Sequence, residues 1–259
     1  HLATPVISDA KVGLQKISEV LGDWKAPDDW YKRAIKEKNE WDAYVEKQSG
    51  PTNQEEPSYA HAVGAVYRNS DPSDIVVTAA GGLVGEVVQV WKPKQLNTFE
   101  TEWGFSCMGY EISGALGIKM AKPDQDVVVF VGDGSYLLNN TDIYSSVIYD
   151  QKLIIIVCDN GGHMVINRLQ LAKGGKEYIC NLRAARATNL KFVDFENHAK
   201  SMGANAETVS STSELEAAYK RAKDSDKTYV ITIKTHGYEW LEGTAFWEIT
   251  TLQDPITCL

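Results

Sequence analysis

Two polar side chains that can hold a metal ion follow two apolar runs in the middle of this 259-residue chain. Asp133 comes two residues after VVVFV (127–131), and Asn160 comes two residues after LIIIVC (153–158). A carboxylate, an amide oxygen and nearby backbone carbonyls are hard oxygen donors of the kind that Mg²⁺ prefers. The glycines on either side of Asp133 let backbone N–H groups approach an anion closely. The pattern therefore predicts a site for a divalent metal and a diphosphate.

The elements around these residues predict an α/β fold with a parallel sheet and helices on both faces. From residue 58 onward, continuous apolar runs alternate with helical segments, which is typical of strands buried on both sides. Strands are predicted over 74–79, 127–131, 153–158 and 228–234. Helices are predicted from Ser58 as cap to Arg68, near 106–121, and over 140–149, 195–202 and 214–223, the last with Ser213 and Glu216 at capping-box spacing.

Chain direction predicts where the two polar residues meet. A right-handed crossover places the strands 127–131 and 153–158 side by side in parallel. Asp133 and Asn160 then emerge together at the carboxyl edge of the sheet, where open α/β sheets bind ligands.

A different pattern precedes the sheet. Residues 8–21 and 28–48 are predicted to be helices, and the polar stretch 48–58 with its two prolines is the best candidate linker. We expect a short helical segment over 1–50, followed by one α/β domain over 51–259.

Two simpler interpretations of the glycine motif compete with a metal and diphosphate site. In a dinucleotide-binding fingerprint, Gly132 and Gly134 would need a third glycine at position 137, which is Leu137. A plain β-turn also suits Gly-Asp-Gly. The repeated placing of Asp133 and Asn160 directly after apolar strands favours the metal and diphosphate site over both.

The composition and charge of the chain indicate which binding partners and which cellular compartment to expect. The formal net charge of −9 makes non-specific binding to nucleic acid or to an anionic membrane unfavourable. No apolar run approaches the ~20 residues of a membrane span. The four cysteines form no C-x-x-C pair, and Cys107 and Cys158 lie in apolar surroundings that predict buried thiols. A reducing compartment, the cytoplasm, is expected.

The segment GDGS…DN, from Gly132 to Asn160, resembles the thiamine diphosphate (ThDP) motif of the acetolactate synthase and pyruvate decarboxylase superfamily. The upstream segment GFSCMG (104–109) is similar to that superfamily's G-x-x-x-M-G. The resemblance implies ThDP and Mg²⁺ as cofactors, with the metal held by Asp133, Asn160 and the carbonyl of Gly162.

The same resemblance implies further cofactor contacts, from Gly81, Gly82, Leu83, Ser106, Met108, Gly132, Gly134 and Ser135. Met108 would support the bent form of the cofactor, and the alternative is a core methionine on a helix. His163 is a further candidate contact to a phosphate or the substrate, and the alternative is an exposed loop residue.

Four segments are similar to the ring-opening hydrolases of inositol catabolism: FSCMGYEI (105–112), INRLQ (166–170), VDFENHAKSMGA (193–204) and TAFWEI (244–249). The resemblance implies hydrolysis of a cyclic 1,2-diketone, trihydroxycyclohexane-1,2-dione, to 5-deoxy-glucuronate. The alternatives are acetolactate synthase-like ligation, 2-oxo acid decarboxylation, an NAD-binding domain and a non-catalytic module.

The resemblance also implies that this chain carries only part of a site. In those enzymes the glutamate that activates ThDP belongs to a separate pyrimidine-binding domain. We expect that domain in an upstream part of the same protein or in a partner chain, within a homodimer or homotetramer.

Overall fold

The structure is a computed structural model that describes residues 4–186, 189 and 191–242. The chain divides into two compact units, residues 1–44 and 45–259. Within the described ranges no helix is long and apolar enough to cross a membrane.

The first unit is helical, as the sequence predicts. Helix α1 (Ala10–Leu21) begins after Asp9, whose carboxylate accepts the Val12 N–H at 3.1 Å, and it ends at Gly22. Helix α2 (Asp28–Gln48) begins in this unit and has the predicted bounds.

The second unit is built on a six-stranded sheet in which every neighbouring pair is parallel. The strand order is β2-β1-β3-β4-β6-β5. The strands are β1 (Ile75–Thr78), β2 (Phe99–Thr101), β3 (Val127–Gly132), β4 (Ile154–Asp159), β5 (Asn205–Val209) and β6 (Tyr229–Lys234). This arrangement confirms the predicted parallel α/β fold.

Helices cover both faces of the sheet. Alternate residues of the central strands, such as Val129 and Ile155, pack into a core with Ile112, Tyr136 and Phe195 from one side. The intervening residues are also buried, because other helices cover the opposite face. The helices of this unit are α3 (Tyr59–Arg68), α4 (Gly81–Val90), α5 (Tyr110–Ala121), α6 (Asp133–Leu138), α7 (Asp142–Ile148), α8 (Met164–Ala172), α9 (Phe195–Ser201) and α10 (Thr212–Asp224), with a 3₁₀ turn at Leu182–Ala184.

The central strands β3 and β4 place the candidate residues side by side. Their register pairs Gly132 with Cys158, so both strands reach the carboxyl edge together. Asp133 follows the last residue of β3, and Asn160 follows the last residue of β4. The predicted neighbouring placement of these two residues is therefore confirmed.

Several local predictions were wrong. Helix α5 begins at Tyr110 rather than at 106, so the GFSCMG segment is a loop. Helix α6 begins at Asp133 itself. The cap of α10 is Ser211, whose hydroxyl accepts the Glu214 N–H at 3.2 Å, not Ser213. Two serines near one another both satisfy the capping pattern, and only the first has the extended backbone that a cap needs.

Candidate cofactor site

A cavity of about 220 Å³ opens at the carboxyl edge of the sheet. The structure brings all of the candidate residues named from the sequence to its wall. They are Gly81, Gly82, Leu83, Ser106, Met108, Gly132, Asp133, Gly134, Ser135, Asn160, Gly162 and His163. These residues come from four separate segments of the chain, each at a strand end or helix start, so the topology of the sheet assembles the cavity.

The first segment is the turn from β1 into α4. Gly81 has φ +78°, a backbone conformation that glycine adopts without strain. Gly82 lies against the indole of Trp240, and a Cβ at this position would come within 2.0 Å of the ring. A glycine is therefore needed here for close packing, and Trp240 becomes part of the cavity wall.

The second segment is the loop that precedes α5. The Glu102 carboxylate holds it by accepting the N–H groups of Phe105 at 2.9 Å and Cys107 at 2.7 Å. Ser106 has φ +53°, and Met108 is 37% exposed. Met108 thus lies on a loop beside the cavity, and the alternative of a core methionine on a helix is wrong.

A buried carboxylate ties the first two segments together. Glu111 is 1% exposed, and its oxygens accept the Gly109 N–H at 2.8 Å and the Ala80 N–H at 3.3 Å. The Ser135 hydroxyl also hydrogen-bonds to it. Burial raises the pKa of Glu111, although these donors oppose the shift. Glu111 therefore fixes three cavity segments relative to one another.

Asp133, at the start of α6, is buried in an unfavourable electrostatic environment. Burial, followed by the charge of Asp159, raises the pKa of Asp133 to about 7, against the N–H groups of Gly134 and Gly162. Burial also raises the pKa of Asp159. The charge of Lys234 and a hydrogen bond with the Asp133 side chain oppose this shift in the pKa of Asp159. Two adjacent carboxylates in low dielectric repel each other, and a divalent cation between oxygen ligands would offset that repulsion.

Asn160 lines the cavity and has one acceptor without a hydrogen-bond partner. Its Nδ2 donates to the hydroxyl of Tyr59 at 2.6 Å, whereas its Oδ1 is buried and has no hydrogen-bond partner. An unsatisfied buried polar atom costs about 1–3 kcal/mol. A cation bound in the cavity would give this atom a partner.

The loop after β4 is held in place by contacts with Asp159 and with the segment around Asn181. Gly161 donates to the Asp159 carboxylate at 3.0 Å, and Gly162 forms an isolated antiparallel bridge with Asn181. The His163 N–H donates to the Cys180 carbonyl at 2.8 Å, and His163 is the residue before α8. The Gly162 carbonyl accepts the Met164 N–H at 3.0 Å and keeps a second lone pair.

Seven further residues, which were not among the predicted cofactor contacts, line the cavity. They are Tyr59, Ala80, Met164, Val165, Ile166, Leu169 and Trp240. Tyr59 follows a recognisable helix cap, but only the tertiary structure brings it to Asn160. Trp240 lies beyond the last strand, where no local pattern identifies its contacts. The segment TAFWEI (244–249) falls outside the described residues.

One cysteine departs from expectation. Cys158 is buried within β4, as predicted, but Cys107 is exposed. The apolar neighbours of Cys107 in sequence belong to a loop rather than to a core helix, which explains the error.

The donor set of the cavity fits a metal held by mixed oxygen ligands. In the part of the chain that the structure describes, no group of three or more His, Cys, Asp or Glu side chains surrounds a single metal position. A cation here would instead be bound by one carboxylate, one amide and a backbone carbonyl. That set is hard and oxygen-only, which suits Mg²⁺ or Ca²⁺ and disfavours zinc.

Two curated relatives match most of the chain. The chain is 32% identical to the 3D-(3,5/4)-trihydroxycyclohexane-1,2-dione hydrolase of Lacticaseibacillus casei, over 95% of this chain and 42% of that protein. It is 33% identical to the enzyme of the same name from Bacillus licheniformis, over 94% of this chain and 43% of that protein. The chain therefore spans less than half the length of these curated relatives.

Solved structures share the fold at lower identity. A thiamine diphosphate-dependent 4-hydroxybenzoylformate decarboxylase from Rhodococcus jostii superposes with a TM-score of 0.61 and 18% identity, over 74% of this chain and 34% of that one. Benzoylformate decarboxylase from Polynucleobacter necessarius gives 0.60 and 21%, over 74% and 36%.

A match to a protein family shows which class of enzymes the chain belongs to. Residues 79–233 match the family described as "Thiamine pyrophosphate enzyme, C-terminal TPP binding domain". This match excludes the NAD-binding alternative, for which Leu137 already lacked the required glycine. The chain belongs to the thiamine pyrophosphate enzymes and carries their C-terminal TPP binding domain.

Proposed function

We propose that Asp133, Asn160 and the carbonyl of Gly162 hold Mg²⁺ and that this ion anchors the diphosphate of ThDP. The observation that carries the proposal is the buried, unpartnered Oδ1 of Asn160 in the same cavity as the Asp133 carboxylate. A cation would give that oxygen a partner and would offset the repulsion between the Asp133 and Asp159 carboxylates, which backbone N–H groups and the charge of Lys234 offset only in part. The Ser135 N–H, at the start of α6, would donate to the diphosphate, and Gly134, whose N–H donates to the Asp133 carboxylate, would lie beside it.

The remaining cavity residues would hold the rest of the cofactor. Gly81, Gly82 and Leu83 would approach the diphosphate from the opposite side, and His163 would lie next to it. Met108 would support the bent cofactor, with the Ser106 carbonyl beside the pyrimidine. The cavity of about 220 Å³ is smaller than the roughly 300–1,000 Å³ of whole small-molecule sites. This size supports a site that encloses only one end of a cofactor.

We further propose that the complete enzyme hydrolyses the C–C bond between the carbonyls of a cyclic 1,2-diketone. The support is the name of relatives at 32–33% identity, which specifies trihydroxycyclohexane-1,2-dione. The reaction expected from it gives 5-deoxy-glucuronate in inositol catabolism. When bound, ThDP supplies the electron sink for such a cleavage. The residues of this chain orient the cofactor, screen its charge and, through Trp240 and Leu169, limit the access of water.

The site proposed here needs a second domain. The chain covers 42–43% of the length of the two hydrolases named above, which supports further domains in the complete enzyme. We propose that residues 51–259 form the diphosphate and metal domain and that residues 1–50 end a preceding domain. The glutamate that activates ThDP would come from a pyrimidine-binding domain of the same protein or of a partner in a homodimer or homotetramer.

Thermal unfolding tests the metal and cofactor proposal. At ligand concentrations about 100-fold above the dissociation constant, binding to the native state adds about 2.7 kcal/mol. For a domain of this size that is a rise of about 5–10 °C in Tm. We expect this rise with ThDP and Mg²⁺ together, and its loss with EDTA.

A matched pair of variants locates the metal. Asp133→Ala removes the proposed ligand, so the Tm rise should disappear. Asp124→Ala changes an exposed aspartate in the turn before β3, at the opposite edge of the sheet, and should leave the rise unchanged. A full Tm rise in Asp133→Ala, or the same rise with EDTA present, would contradict the proposed metal site.

A separate assay tests the reaction. The complete enzyme, with its pyrimidine-binding domain, should consume trihydroxycyclohexane-1,2-dione and release an acid. Turnover of pyruvate or benzoylformate with no reaction of the diketone would reject the hydrolase and favour a decarboxylase or ligase.

A further inference from the structure

We propose that Tyr59 is a positioning residue that determines which end of the Asn160 amide faces the metal site. The proposal rests on the proposed function, in which the Asn160 oxygen is a metal ligand. An asparagine amide has a donating nitrogen and an accepting oxygen of nearly the same shape. Packing alone therefore cannot select the end that points at a cation, and a hydrogen-bond partner must do so.

The contacts of Asn160 show how the selection is made. Nδ2 donates to the Tyr59 hydroxyl at 2.6 Å, and Oδ1 lies in the cavity wall without a partner. Both residues are buried, so water does not compete for the amide. With the opposite orientation, an NH₂ group would face the metal and repel it.

The Tyr59 hydroxyl can donate or accept, and its surroundings favour acceptance from Asn160. The negative charges of Asp133 and Asp159 act on the hydroxyl. They favour the orientation in which the hydroxyl proton points towards them and a lone pair points towards the amide. The same carboxylate that would bind the metal thus also orients the group that positions its second ligand.

The Tyr59 side chain is itself held in place from two sides. Tyr59 is the first residue of α3, directly after the cap Ser58, which forms a reciprocal capping box with His61. Its ring meets Trp240 edge-on, with the ring centroids 5.6 Å apart. Because these contacts involve backbone and ring atoms, Tyr59→Phe removes the hydroxyl and keeps the packing.

Direct measurement of metal binding tests the proposal. The Mn²⁺ affinity of the complete enzyme, with its pyrimidine-binding domain and in the presence of ThDP, can be followed by the EPR signal of the free ion. Loss of a group that orients a metal ligand typically weakens binding 10–100-fold, and we expect that range for Tyr59→Phe. The control is Tyr219→Phe, another buried tyrosine, whose hydroxyl donates to Asp74 at 2.8 Å near the opposite edge of the sheet. Its Mn²⁺ affinity should match that of the unsubstituted enzyme.

The same Tyr59 substitution in an Asn160→Asp variant separates a positioning role of Tyr59 from a packing role. Asn160→Asp replaces the amide with two equivalent oxygens, so no orientation remains to be selected. In this background, adding Tyr59→Phe should change the Mn²⁺ affinity less than threefold. An equal penalty in both backgrounds would show that Tyr59 acts only through packing, and the proposal would be overturned.

The two proposals fail in different ways. If Asp133→Ala leaves the Mn²⁺ affinity unchanged, or if the complete enzyme without substitutions binds no Mn²⁺, the metal site itself is wrong. If Asp133→Ala weakens binding but Tyr59→Phe does not, the metal site stands and only the role of Tyr59 is rejected.

Discussion

The buried carboxylate of Glu86 should make the stability of this fold depend on pH. Glu86 lies in α4 and is 1% exposed. One of its oxygens accepts the Leu241 N–H at 3.0 Å, and the other has no partner. Burial raises the pKa of Glu86 from 4.5 to about 7, although the Leu241 N–H and the charge of Arg168 oppose the shift.

The sign of the effect follows from which state holds the proton. Between pH 4.5 and about 7, Glu86 is ionised in the unfolded chain but protonated in the folded one. Its contribution to stability is therefore fully present below pH 4.5 and is lost as pH rises towards 7. At about 1.4 kcal/mol per pKa unit, the loss amounts to about 3 kcal/mol.

Glu86→Gln should remove this pH dependence. The glutamine keeps an oxygen for the Leu241 N–H and has no charge to bury. Urea unfolding of both proteins between about pH 4 and pH 8 gives the difference in unfolding free energy. We expect Glu86→Gln to gain about 3 kcal/mol relative to the unsubstituted chain across this range. Other titrating groups cancel because both proteins share them.

The control is Glu214→Gln, because the contribution of Glu214 to stability should depend on pH with the opposite sign. The exposed Glu214 carboxylate accepts the backbone N–H and the hydroxyl of Ser210 at 2.8 and 2.9 Å, and the backbone bond lowers its pKa. Its stabilisation is present above its unfolded pKa and is lost in acid. A flat difference curve for Glu86→Gln, or one that falls with pH, would refute the reasoning about burial.

Two further predictions concern the cavity wall and the start of α3. Gly82→Ala should destabilise the fold by about 1–3 kcal/mol and alter tryptophan fluorescence, because the new Cβ overlaps Trp240. Gly85→Ala, in the same helix with open space around it, should instead stabilise by about 0.5–1 kcal/mol, and equal effects would disprove the contact. Ser58→Ala should cost about 1 kcal/mol in thermal unfolding by removing the cap that holds His61 and the start of α3, and an unchanged Tm would contradict this.

The sequence predicted the central part of the fold because its signals are local and continuous. The runs 127–131 and 153–158 are uninterrupted apolar strands, and both are buried as β3 and β4. Chain direction alone then places Asp133 and Asn160 at one edge. The cap at Ser58 and the glycine turn at Gly81 were also identified from residue type.

Elements without such signals were missed. Strands β2 (Phe99–Thr101) and β5 (Asn205–Val209) lie at the two edges of the sheet, are short, and carry polar residues that hide the strand pattern. Helix α8 (Met164–Ala172) follows the glycine pair without a side-chain cap. An edge strand buries less of its surface than a central strand and needs fewer apolar residues. Its hydrophobic periodicity is therefore hard to recognise.

The contacts that complete the site could not be predicted because they join distant parts of the chain. Tyr59 and Asn160 are 101 residues apart, and the bond between Leu241 and Glu86 spans 155 residues. Nothing in the local pattern around Tyr59 distinguishes it from other tyrosines that begin a helix. Such pairs depend on how α3 and the segment after β6 pack at the sheet edge.

Buried carboxylates at the two edges of the sheet have different partners, and this difference supports the proposed location of the metal. Asp74, just before β1, is 3% exposed and is compensated within the chain by Lys223 at 2.8 Å and by the Tyr219 hydroxyl. Asp133, just after β3, is 5% exposed and faces Asp159 instead of a cation. Uncompensated burial of charge is a cost that structural residues rarely retain. The carboxyl edge is therefore where the proposed cation would add a compensating positive charge.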